Sequence, residues 1–196
     1  MRYKDLEKQK LIKIKAISLF AQNGYNNTSI NQITDTVGIA AGSFYIYYKS
    51  KEDLLTEIFI DLWSEIANKI EDIQKSNKFP PDLKLEGLID TIFDAFIINP
   101  DLAKIFVNEH STIMKLGNNK LMKFYKRFLE IGENIVREGI DKKIFNNKIS
   151  ITVYSSYIFG SIRYLLHLWA EDNNNYPLNL IRENVKFASL NGIKNK

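Results

Sequence analysis

Apolar residues recur at helical spacing along nearly the whole chain, and the strict alternation of a strand is absent. Leu11, Ile14, Ile17 and Phe20, with Ala21, form the apolar stripe of a first helix over 4–22, and Lys4, Lys8 and Lys15 lie off it. Gly24, after Asn23, is a stop signal. Thr28 or Ser29 then caps a second helix reaching about Val37, which buries Ile30, Ile33 and Val37 and ends at Gly38. A very short third helix is expected from about Ala40 to Tyr47. Ser50 caps a fourth, over 50–75, whose first turn places Glu52 and Asp53 at the positive end of the helix dipole.

Beyond it the pattern predicts helices near 82–98, 100–115, 119–141, 147–171 and 177–193. They are separated by Ser76-Asn77-Lys78-Phe79-Pro80-Pro81, Asn99-Pro100, Gly117-Asn118-Asn119, Asn146-Asn147 and the run from Asp172 to Pro177. The expected fold class is all-α with about nine helices. An N-terminal three-helix head with a helix-turn-helix, residues 1–51, precedes a C-terminal helical body, residues 52–196.

Charge sharpens this division. Residues 1–51 hold eight Lys or Arg and three Asp or Glu, whereas the remaining chain is close to neutral. A basic segment on a neutral body suits a polyanion, although a lysine-rich solvated helix has the same signature. Between Lys15 and Lys49 the sole charge is Asp35. The second helix of the helix-turn-helix therefore offers hydroxyls, amides, small residues and aromatics, a surface that can approach base edges closely. Ala41 or Ser43 is placed to touch a thymine methyl, and Lys49 and Lys51 to meet phosphates at its edge.

The run Gly38-Ile39-Ala40-Ala41-Gly42-Ser43-Phe44-Tyr45-Ile46-Tyr47-Tyr48-Lys49-Ser50-Lys51-Glu52-Asp53-Leu54-Leu55 resembles the signature of the TetR family. Ala16, Leu19-Phe20, Gly24-Tyr25, Thr28, Ile30 and Ile33 fit the family's first two helices. The resemblance implies a transcriptional regulator on a double-stranded DNA operator. It also implies that Tyr45, Tyr47 and Lys51 contact the DNA, with Ser29, Asn31, Ala41, Gly42 and Ser43 beside them. Ala41 departs from relatives that often carry a polar or basic residue there, and Tyr48 stands where phenylalanine is usual. The alternative for Tyr45, Tyr47 and Tyr48 is a purely structural role in the head, but the three cannot share one helix face.

Palindromic recognition needs two heads held by a dimer interface. The helix over 147–171 is apolar on every side, so one side is expected to serve the core and another a partner chain. Tyr154, Ile158, Ile162 and Leu165, with Ile181 and Val185 of the last helix, are the candidate homodimer residues; a buried central helix in a monomer is the alternative. For an effector site the candidates are Phe96, Phe106, His110, Tyr157, Arg163 and His167, polar anchors among aromatics, against the alternative of a filled core. Ile158-Phe159-Gly160-Ser161-Ile162, Trp169 and Tyr176-Pro177-Leu178 are similar to the family's regulators of fatty-acid metabolism. That resemblance implies a small apolar or amphipathic effector such as long-chain acyl-coenzyme A, releasing a repressor from a palindromic operator.

Catalysis is not expected. The chain has no cysteine, two widely separated histidines, no glycine-rich phosphate loop and no metal-ligand cluster, so no catalytic residue, metal or cofactor is assigned. No signal peptide is expected at Met1–Glu7, and the longest apolar run, 149–162, is too short to span a bilayer, so a cytoplasmic protein without a membrane partner is expected. The alternative function is an effector-independent DNA-binding or interaction protein on the same fold.

Overall fold

Two left-handed glycines form the corners of the head. Gly24, at φ 81°, receives the end of α1 (Tyr3–Asn23) and donates its N–H to the Phe20 carbonyl at 3.0 Å. Gly38, at φ 75°, closes α2 (Ile30–Val37) in the same way. A side chain at either glycine would carry the strain of the left-handed region. Ser29 opens α2 with a capping box: its Oγ accepts the Gln32 N–H, and its own N–H donates to Gln32 Oε1 at 2.7 Å.

This computed structural model describes residues 3–116 and 119–194. Helix α3 is Ala41–Phe44, shorter than the expected 40–47. Past Phe44 the backbone tightens into i→i−3 bonds, with Ile46 N–H to Ser43 O and Tyr47 N–H to Phe44 O. That turn lets Phe44 and Tyr48 both enter the head's core, 5.7 Å apart between ring centroids.

The body consists of α4 (Lys51–Lys75), α5 (Pro81–Ile98), α6 (Pro100–Leu116), α7 (Asn119–Asp141), α8 (Ile151–Glu171) and α9 (Leu178–Ile193). Serine caps open α4 and α8 at Ser50 and Ser150, and Pro81 and Pro100 occupy first positions that need no N–H partner. Helix α8 starts later than the expected 147, because Asn146 turns the chain by accepting the Lys148 N–H on its side chain at 2.9 Å. Nine helices and no named strand are found among the described residues.

Helix α4 packs on α5 and α7, α5 also on α9, and α8 on α7 and α9. Helix α6 spans the two parts of the molecule: it packs on α1 of the head and on α8 of the body. Ion pairs lace the assembly. Lys84 is buried, and its Nζ donates to Gln74 O and Glu138 Oε2 at 2.8 Å each, tying α5 to the end of α4 and to α7. Arg182 and Lys186 of α9 pair with Asp94 and Asp90 of α5, and Lys13 of α1 pairs with Asp61 of α4.

Candidate nucleic-acid interface and effector cleft

The head turns an uncharged surface to solvent. Asn31, Ala41 and Gly42 are exposed and Ser43 is half-buried. Tyr45 and Ile46 project outward at 60% and 72% exposure, whereas Tyr47 is half-buried. Ser29 is exposed, but its hydroxyl oxygen is engaged in capping α2. Tyr48 points inward, as its i+4 relation to Phe44 requires, and donates its hydroxyl to Gln9 O. Burial pushes the Tyr48 hydroxyl well above the usual tyrosine range, so it remains a donor. Ile46 did not figure among the expected contacts. The signal for it was available: if Phe44 and Tyr48 share the inner face, Tyr45 and Ile46 look outward.

Lys51, expected at a phosphate, points its ammonium inward in the free chain, donating to Tyr25 O and Thr28 O at 2.8 Å each, with Nζ 4.4 Å from the Tyr25 ring centroid. It fastens the first residue of α4 to the turn between α1 and α2.

In the body, Trp63 lies among Phe106, Tyr125, Phe128 and Phe159, with centroids 5.0–5.8 Å away. Phe96 stacks on Phe106 at 5.3 Å, and His110 meets the same ring edge-on at 5.9 Å. Three of the expected pocket residues, Phe96, Phe106 and His110, are thus together. Arg163 is exposed, but its charge is felt by both His110 and Tyr125. Tyr157 and His167 are elsewhere: Tyr157 is exposed on the far side of α8, and His167 lies 3.3 Å from Glu171, one turn along.

Beside this cluster an apolar cleft opens between α5, α7 and α8, walled by Leu88, Ile92, Phe128, Gly132, Ile158 and Phe159. Its free volume is about 30 Å³, room for one or two water molecules. The sequence reading missed the α5 and α7 walls, because three helices distant along the chain contribute them.

Of the expected dimer residues, Tyr154, Ile158, Ile162, Ile181 and Val185 are buried within the single chain, where Tyr154 donates its hydroxyl to Ser189 O at 2.7 Å, and Leu165 is half-buried. The outward apolar positions are instead Val153, Tyr157 and Tyr164 on α8, with Leu180 and Phe187 on α9. Each set follows a single helical stripe.

Among the described residues no cluster of side chains suits a metal ion, and no helix is long and apolar enough to cross a membrane.

Comparison with known proteins identifies both parts. Residues 15–58 match the profile described as bacterial regulatory proteins, tetR family, and residues 58–191 match the C-terminal region of YsiA-like proteins. The fatty acid metabolism regulator protein of Bacillus subtilis (strain 168) is 25% identical over 181 residues, covering 92% of this chain and 93% of that protein. The transcriptional repressor KstR2 of Rhodococcus jostii (strain RHA1) is 27% identical over 139 residues, 66% of this chain and 68% of that one. The crystal structure of the regulator FadR from Bacillus subtilis, in complex with stearoyl-CoA, superposes with a TM-score of 0.82 at 24% identity, covering 94% and 98% of the two chains.

Proposed function

The chain belongs to the TetR family of bacterial DNA-binding transcriptional regulators, and on that footing we propose that it is a homodimeric repressor that an apolar or amphipathic effector releases from a palindromic operator. Its relatives are transcriptional regulators, not enzymes. Residues 1–51 act as the DNA-binding head and residues 52–196 as the sensing and dimerising body, in a cytoplasm where the operator is accessible.

The observation that carries this reading is the position of α6. One of its faces lies on α1 and the other on α8. Glu109 is buried where its charge reaches Tyr25 of the head, while the next residue, His110, faces the aromatic cluster. An effector that parts α8 from α5 and α7 must displace Phe159, and with it the packing of α6 and α4 on the head. Two connections carry that motion to the recognition surface: the Lys13–Asp61 pair and the Lys51 anchor on the α1–α2 turn. The effector favours the DNA-incompetent state by its difference in affinity for the two states. Long-chain acyl-coenzyme A is the proposed effector, supported by the apolar cleft and by what related regulators bind.

Tyr45, Ile46, Asn31, Ala41, Gly42 and Ser43 form the proposed base-facing surface, with Tyr47 and Ser29 at its margin. Two copies associate through the outward stripes of α8 and α9, centred on Tyr157, Tyr164 and Phe187, since exposed aromatics are enriched at interaction surfaces.

The small volume of the cleft favours a second reading, a DNA-binding protein that needs no effector. One experiment separates the two: footprinting of the chain on its own upstream DNA, with and without acyl-coenzyme A. Protection of two half-sites that the ligand lifts supports release by an effector; protection that no ligand disturbs supports the second reading.

A further inference from the structure

Tyr25, in the turn between α1 and α2, is held on several sides. Its ring lies edge-on to Phe20 at 5.1 Å between centroids, and the Lys51 ammonium sits 4.4 Å from its own centroid. Its carbonyl accepts from Lys51 Nζ at 2.8 Å and from the Thr28 N–H at 3.3 Å. The residue is 4% exposed, yet its buried hydroxyl has no hydrogen-bond partner among the described residues. A buried hydroxyl left in this way is costly, and folded proteins keep few of them.

Across the junction, α6 carries the complementary lack. Glu109 is buried, and among the described residues its carboxylate has neither an ion pair nor a hydrogen bond. Glu71 and Glu138, by contrast, each accept from two cations. The two unmet groups are close enough to act on each other: the Tyr25 hydroxyl is pushed above the usual tyrosine range by burial first, then by Glu52, and also by the Glu109 charge. Glu52 is already served, because its own backbone N–H and the Ser50 side chain hold it below the usual glutamate range ahead of any help from Tyr25. A donor on the head thus lacks an acceptor while an acceptor on the body lacks a donor.

A small shift of α6 can join them. The helix rests on the aromatic cluster through Phe106, which meets Trp63 at 5.6 Å and Phe159 at 6.3 Å, and through His110, edge-on to Phe106 at 5.9 Å. A ligand that displaces Phe159 changes what α6 rests on, and a rigid helix passes the displacement on to Glu109.

Resting on the effector-release reading above, we infer that Tyr25 is the positioning residue through which α6 acts on the head: its hydroxyl is unbonded in the ligand-free arrangement and donates to the Glu109 carboxylate in the released one. The new bond stabilises the released state alone and so supplies part of the coupling. Lys51 holds the carbonyl and the ring of the same residue, so a pull on the hydroxyl reaches the turn that opens α2.

The test uses the full-length protein as wild type, Y25F, E109Q and the double variant. Two quantities are measured: the thermal midpoint without ligand, and the factor by which dodecanoyl-coenzyme A weakens operator binding in fluorescence anisotropy. Y25F is expected to melt no lower than wild type, because the hydroxyl it removes has no bond to lose. The factor should fall by about tenfold, or vanish where it starts smaller, the scale of a charged hydrogen bond. E109Q, whose amide oxygen accepts without a charge, reduces the factor less, and Y25F/E109Q falls no further than Y25F. A factor unchanged in Y25F overturns the inference. So does a lower midpoint, the mark of a hydroxyl already bonded in the free protein, and so do losses that add in the double variant. In each of these cases ligand still releases the wild-type protein, and the effector reading stands. A wild type whose operator affinity dodecanoyl-coenzyme A leaves unchanged overturns the effector reading and this inference with it, while the operator complex itself keeps the DNA-binding assignment intact.

Discussion

The Lys51 ammonium donates to the Tyr25 carbonyl at 2.8 Å and lies 4.4 Å from the centroid of the same residue's ring. A second bond to Thr28 O completes a strut between α4 and the α1–α2 turn. That strut ties the start of the body to the turn ahead of α2 in the head.

Lys51→Met is therefore expected to lower stability by about 1–3 kcal/mol, the scale of hydrogen bonds lost from a charged donor. Operator affinity should fall with it, but the dependence of affinity on salt should keep its slope. Loss of a phosphate contact would instead reduce that slope by about one. Thermal denaturation and salt-titrated operator binding, measured on the same variant, separate the two roles.

Ile46→Ala and Tyr45→Ala remove outward side chains from the proposed base-facing surface. Each is expected to weaken operator binding by about tenfold, the scale of one lost base contact, and to leave the thermal midpoint nearly unchanged because neither side chain is packed. Phe44→Ala, by contrast, opens a cavity in the head's core and should cost about 3–5 kcal/mol.

The body offers a paired test of its faces. Phe187→Glu and Tyr164→Glu alter the exposed stripes of α9 and α8, and sedimentation should show a shift from dimer to monomer with the fold retained. Tyr154→Phe removes the hydroxyl bonded to Ser189 O; it should cost about 1 kcal/mol of stability and leave self-association intact. The reverse pattern would return the interface to the inner face.

Burial alone would raise the Glu138 carboxyl, but hydrogen bonds from Lys142 and Lys84 outweigh it and hold the group below the usual glutamate range. A depressed carboxylate contributes stability above its unfolded-state value and loses it as pH falls through the folded one. The melting temperature should thus decline on acidification below the ordinary glutamate range, and Lys84→Met should flatten that decline while lowering stability at neutral pH. Melts across pH for the two proteins read the difference.

How much of this could be read from the sequence depended on whether the information was local. Caps and stops at Gly24, Gly38 and Ser50 stand where the pattern put them, and the α2 cap falls on Ser29, the second of the two expected positions, because a cap is a contact within a few residues. The family signature located the head for the same reason. Helix α8 was opaque: it is apolar all round, so periodicity could not say that Tyr154 and Ile158 look inward while Val153 and Tyr157 look out. The inward turn of Lys51 was equally hidden, since its acceptors lie 26 and 23 residues away. Walls drawn from α5, α7 and α8 became a cleft only once the helices were packed.

Coupling between the proposed DNA surface and the proposed effector cleft is reciprocal. The most direct measurement is operator affinity, by fluorescence anisotropy, across a series of dodecanoyl-coenzyme A concentrations, paired with ligand affinity in the presence and absence of operator. Ligand is expected to weaken operator binding, and operator to weaken ligand binding, by the same factor, on the order of 5- to 150-fold. Ligand and operator that bind together with unchanged affinities would contradict it.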